Sequence, residues 1–204
     1  MPFQEAPVLS PALSPVLIDR DDALLVVIDL QDGFLKKLDP ARAARLVDNV
    51  RFLAEVAGRL DIPAFVTVED PQRHGWTTEA VRSQLAPDTT ERDKAVFGLC
   101  GQPDLRAAIL AQPRRTAVLV GLETDVCILH SAVGLMAEGF RVIVVGDATG
   151  APGDEHALGL ARAAAFGVEI VHAKGVFYEW MRTLATFRLP AFTPPPPAPM
   201  TSRL

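Results

Sequence analysis

The chain has 204 residues, 49% hydrophobic and 22% charged, with a formal net charge of −5. That suffices for one domain with a sizeable core, while the absence of a basic stripe, the single Tyr and the two Trp exclude an ordinary nucleic-acid binder. No apolar run approaches the roughly 18 residues that span a bilayer, no leader pattern is visible, and two cysteines make no disulfide framework, so a cytoplasmic protein without membrane partners is expected.

Residues 1–16 carry Pro2, Pro7, Pro11 and Pro15 and no periodicity, and read as an extended arm. Ala23–Leu30 is a continuously apolar first strand with Asp29 near its carboxyl end, followed by the loop 31–34. Over Pro40–Leu60 the residues Ala44, Val47, Val50, Leu53 and Val56 share one helical face, with Pro40 in the first turn. Ile62–Val68 reads as a second strand, 69–76 as a polar loop, and 77–85 as a short helix. A short extended segment ends near Lys94. Pro103–Ala111 is helical.

Thr116–His130 reads as strand, tight turn, then helix. Ala117–Val120 is apolar and β-branched like a buried parallel strand, Gly121 ends it, and Cys127 falls in the first helical turn, before Gly139 stops that helix. Arg141–Val145 is another buried strand with a loop over 146–149. Asp154 is placed to cap a helix to about Phe166. Val168–Val171 reads as the last strand and Val176–Phe187 as the last helix. Residues 189–204 form a Pro-rich tail, with six prolines between 190 and 199 that bar it from a sheet interior. Buried strands alternating with amphipathic helices predict an α/β fold: a three-layer α/β/α sandwich around a mainly parallel, doubly wound sheet of about six strands.

Three chemically active side chains fall at or near the carboxyl ends of separate strands, where open α/β sheets carry their sites: Asp29, Lys94 and Cys127. The unpaired N–H groups and dipole of a helix start favour a thiolate. A carboxylate can accept the thiol proton, and an ammonium favours both anions. Each residue also has a plain alternative: a turn aspartate, a solvated lysine, a cysteine packed as a small hydrophobe.

The segments IDLQDGF (28–34), Lys94 followed by Phe97-Gly98, and GLETDVC (121–127) resemble, in that order, the three signature regions of the isochorismatase-like cysteine hydrolases. The likeness spans about 17–187 and implies that residues 17–188 form one such hydrolase domain. It implies a catalytic triad of Asp29, Lys94 and Cys127 that cleaves a C–N bond in a small molecule through a thioester. It also implies a cis peptide at Leu122–Glu123, with the backbone N–H groups of Glu123 and Cys127 as the oxyanion hole. Nicotinamidases of this family carry an Asp-x-His and a later His that bind metal. Here the matching stretch is 69–74, and its lone His74 does not reproduce that set, so neither a metal nor another cofactor is expected.

Gln31, Phe34, Phe97 and Thr124 are candidates for substrate binding, against plain roles in loop capping and packing. His130 and Cys100 are weaker candidates for tuning the site. His156 and His172 carry no partner signal, and Trp76 and Trp180 read as packing or subunit contacts. Two other readings stay open: vinyl-ether hydrolysis of the isochorismatase type, which can dispense with the thiol, and a catalytically idle oligomeric binding protein. A homo-oligomer is expected in either case, since the resemblance implies one.

Overall fold

The computed structural model describes residues 16–188, so the proposed arm, except Val16, and the Pro-rich tail lie outside the described residues. Six parallel strands form one sheet: β1 (Ala23–Ile28), β2 (Ala64–Val68), β3 (Glu91–Asp93), β4 (Thr116–Leu122), β5 (Arg141–Gly150) and β6 (Glu169–Val171). Their order is β3-β2-β1-β4-β5-β6. The winding direction reverses between β1 and β4, which opens a crevice at the carboxyl ends of those two strands.

Strand periodicity divides the core. Leu25 and Val27 of β1, Val118 and Val120 of β4, and Ile143 and Val145 of β5 face one layer. There they meet α2 (Pro40–Arg59) and α8 (Ala173–Met181). Leu24 and Val26, Ala117 and Leu119, and Val142 and Val144 face the other. That side is covered by α5 (Pro103–Leu110), α6 (Leu129–Ala137) and α7 (Glu155–Ala165). With both faces covered, all six residues of β1 are buried. The register pairs Ile28 with both Thr67 of β2 and Gly121 of β4. At Gly121 (φ 120°) a Cβ would sit 1.9 Å from the Ile28 carbonyl oxygen, so only glycine lets the two central strands approach here.

After the single turn α1 (Asp32–Leu35), helix α2 begins where Pro40 predicts, and Asp39 Oδ1 accepts from the N–H groups of Ala41 and Arg42. Elsewhere the local pattern misleads. The helix expected over 77–85 shrinks to α4 (Glu79–Arg82), and the expected polar loop over 69–76 contains one short helix, α3 (Pro71–His74). The loop expected at 146–149 continues β5 to Gly150, past a register shift between Leu119 and Gly121 of its partner. Asp154 precedes α7 without a capping bond from its side chain. The last helix breaks at Arg182 (φ 59°) into α8 and α9 (Leu184–Phe187), a conformation unfavourable to a non-glycine residue.

Candidate active site

Asp29, Glu69 and Lys94 are each the first residue past a strand, β1, β2 and β3 respectively. Parallel pairing aligns those strand ends: the Asp29 N–H donates to the Thr67 carbonyl and the Lys94 N–H to the Val68 carbonyl. Asp29 leaves β1 in the left-handed region (φ 50°), which Asp tolerates better than most residues. Cys127 comes from the far side of the crevice, in a π-helical turn, Thr124–Ile128, between β4 and α6. Sequence reasoning predicted an ordinary helix start at this point. The Leu122–Glu123 peptide leading into it is cis.

Lys94 joins the group. Its Nζ lies 2.9 Å from Asp29 Oδ2, 3.4 Å from Glu69 Oε2 and 3.7 Å from Cys127 Sγ, and it donates to the Val96 carbonyl at 2.6 Å. Thr67 Oγ1 donates to Asp29 Oδ1 at 3.0 Å. Oδ2 meets the ammonium as an ion pair without an aligned hydrogen bond among the described residues, which leaves it open to a proton. The Cys127 thiol faces Glu69 Oε2 at 3.6 Å. Asp29, Glu69 and Cys127 offer ligand atoms within 4.8 Å of one another. Lys94 Nζ touches all three residues, so an ammonium stands where a cation would be bound.

Burial raises the Asp29 pKa, against the opposing pull of Lys94. For Lys94, burial disfavours the charge, but Asp29 and then Cys127 outweigh it and the pKa is raised. Burial and then the Asp29 charge raise the Cys127 thiol, with Lys94 opposing. Burial and then the Asp29 charge thus oppose the thiolate that a helix start favours, and Asp29 is the base placed to take the thiol proton.

Above the sulfur lies a cavity of about 250 Å³. Phe34, Phe97, Leu122 and Val126 supply its apolar wall, while Asp29, Glu69 and Cys127 form its reactive side. At its edge Lys37 Nζ pairs with Glu123 Oε1 at 2.9 Å and lies 4.6 Å from the Phe34 ring centre.

Of the proposed substrate contacts, Phe34 and Phe97 line this cavity. Gln31 does not: it is fully buried, its Nε2 donates to the carbonyls of Glu69 and Gly75 and its Oε1 accepts the Glu69 N–H. Both ends of its amide are engaged by the 69–75 backbone, so Gln31 orients Glu69. Thr124 is also turned away, its Oγ1 2.8 Å from His156 Nδ1. His130 is exposed and meets Phe97 edge-on at 6.4 Å. Cys100 packs against Gly134 rather than in the cavity, and burial pushes its thiol up to about 11. His74 stacks on Phe34 at 4.5 Å, Trp180 is core and Trp76 is exposed. Sequence reasoning missed Glu69 and Lys37. The available signal for Glu69 was its place immediately after a strand, the same place as Asp29 and Lys94.

The chain is 26% identical over 137 residues to the probable hydrolase YcaC of Escherichia coli, a match covering 66% of this chain and 65% of that protein, so it spans about two thirds of that relative's length. It is 28% identical over 172 residues to isochorismatase domain-containing protein 2 of Bos taurus, covering 83% and 79% of the two chains. Its fold superposes on the crystal structure of E. coli YcaC, an octameric hydrolase of unknown specificity, with a TM-score of 0.77 at 24% identity over 83% and 84% of the chains. The isochorismatase domain family matches residues 23–174; with its six-stranded parallel sheet and its clustered Asp29, Lys94 and Cys127, the chain belongs to the isochorismatase family of hydrolases.

Proposed function

We propose that this chain hydrolyses the C–N bond of a small amide through a thioester on Cys127. One observation carries the reading: a buried carboxylate and an ammonium from two strand ends meet a thiol from the turn after a third strand at one cavity, with Lys94 Nζ 2.9 Å from Asp29 and 3.7 Å from Cys127 Sγ.

In this mechanism the Cys127 proton moves to Asp29 as Sγ adds to the substrate carbonyl carbon. The resulting oxyanion is received by the backbone N–H groups of Glu123 and Cys127, a donor pair whose members are each worth about 3 kcal/mol. Asp29 then passes the proton to nitrogen, the C–N bond breaks, and ammonia or an amine leaves. Water attacks the thioester while giving a proton to Asp29. Collapse releases the carboxylic acid and returns the proton to sulfur. Lys94 keeps its charge throughout and steadies each anion in turn, a contact worth about 4 kcal/mol gross at an effective dielectric near 20. No cofactor takes part in this scheme.

The protein is further proposed to act as a homo-oligomer in a reducing cytoplasm. Its E. coli structural neighbour is octameric, and Cys100 and Cys127 are both free thiols. Among the described residues no helix is long and apolar enough to cross a membrane. The test of function is a screen of the purified protein against primary amides, ureas and isochorismate, with Cys127→Ala alongside. Amide turnover that disappears in Cys127→Ala supports the reading. Isochorismate turnover that survives the substitution replaces it with vinyl-ether chemistry.

A further inference from the structure

Two carboxylates reach the sulfur, and the mechanism uses only one. We propose that Glu69 is a specificity-determining residue that accepts the N–H of the scissile amide, so that the site selects unsubstituted carboxamides and carbamoyl compounds. The inference rests on the thioester reading and names the substrate class within it.

Asp29 is enclosed by Thr67 and Lys94, and its side chain is 1% exposed. Glu69 is 24% exposed and lines the cavity, with Oε2 3.6 Å from Cys127 Sγ. Its backbone is gripped on both sides by the buried amide of Gln31, and its carboxylate is anchored by Lys94 Nζ at 3.4 Å. The rest of the wall offers little to a nitrogen: Phe34, Phe97, Leu122 and Val126 have no side-chain acceptor, and the Glu123 carboxylate is paired with Lys37.

An amide whose carbonyl carbon sits over Sγ therefore presents its nitrogen to the Asp29–Glu69 side. Asp29 carries the thiol proton at that stage. Glu69 accepts an N–H, and that hydrogen stays on nitrogen; the proton that completes the leaving group still comes from Asp29. An ester oxygen in the same place turns lone pairs toward a carboxylate. A dialkylated nitrogen offers it no donor and leaves it desolvated.

The test reads Cys127 alkylation by mass spectrometry, comparing chloroacetamide with N,N-dimethylchloroacetamide, each rate divided by its rate with free glutathione. Both reagents form the Sγ–C bond with loss of chloride, and only the first carries N–H donors. The native protein is expected to favour chloroacetamide about 30-fold, which corresponds to about 2 kcal/mol, the size of a hydrogen bond to a charged group. Glu69→Met is expected to bring the ratio near one, and Glu69→Gln, which keeps an acceptor oxygen, to fall between. A native ratio near one, or a ratio that Glu69→Met leaves unchanged, overturns the inference while the thioester reading stands. If neither reagent modifies Cys127, the thioester reading falls and the inference with it.

Discussion

Asp29 and Glu69 each follow a buried strand by one residue and each reach Lys94, yet the first side chain is 1% exposed and the second 24%. The difference begins in the sheet. Asp29 ends the central strand β1, roofed on both sides by neighbours, and Thr67 on β2 donates to it. Glu69 follows β2, one strand out from the centre, and its side chain lines the cavity. In the proposed scheme identical chemical groups are thereby divided between two tasks. Enclosure raises the pKa of one toward that of a working base. The other is left facing whatever enters the cavity.

The most severe break in this contrast is Asp29→Asn. It keeps the shape and removes the proton acceptor, and amide turnover should fall by about 10²–10⁴, the range of a lost general base. A loss below tenfold in kcat would mean that Asp29 does not move the proton.

Next in size is Lys94→Met, which leaves Asp29 buried without its cation. Removing one partner of a buried pair costs about 3–5 kcal/mol, to be read as a shift in urea midpoint, and Asp29 should then become still harder to ionise. A stability equal to the native protein's would show that the ion pair is not enclosed as described.

The pH profile sharpens the comparison without any mutation. The proposed mechanism requires ionised Asp29, and its pKa is raised above 3.8, so kcat/KM should be lost as pH falls through that raised value, above the ordinary aspartate range. The stability sign is opposite. Folding favours the neutral acid, so Asp29's contribution is fully present below 3.8 and disappears as pH rises through the raised pKa. An acid limb at or below 3.8 would contradict both.

The smallest effect is expected from Thr67→Val, which removes the 3.0 Å hydrogen bond to Asp29 Oδ1. A charge-directed bond of this kind is worth about 1.5–3 kcal/mol, which should move the acid limb of kcat/KM upward by about one to two pH units and leave Cys127 alkylation at pH 9 nearly native.

The fold was legible because its signal is strong: β1, β4 and the first half of β5 are unbroken apolar runs, and α2 has a clear face with Pro40 at its start. Asp29, Lys94 and Cys127 were legible as residues at strand ends, and the likeness to family signatures suggested that they meet. Glu69 was hidden among the polar neighbours of 69–74. Its place depends on Gln31, 38 residues away, and no local pattern encodes a bond of that range. The role of Gln31 stays open in the sequence for the same reason, because an amide beside a reactive aspartate looks the same there whether it faces a ligand or a backbone. The resting state of Cys127 was also out of reach. A helix start favours a thiolate, and only the assembled crevice shows that burial and the Asp29 and Glu69 carboxylates oppose it.

The central claim is that Cys127 carries the acyl group. Ammonia release from the best primary amide in the screen, compared between the native protein and Cys127→Ala at matched folding, tests it most directly. The account predicts that Cys127→Ala falls to the rate of the buffer. Retention of a tenth or more of the native rate would contradict it.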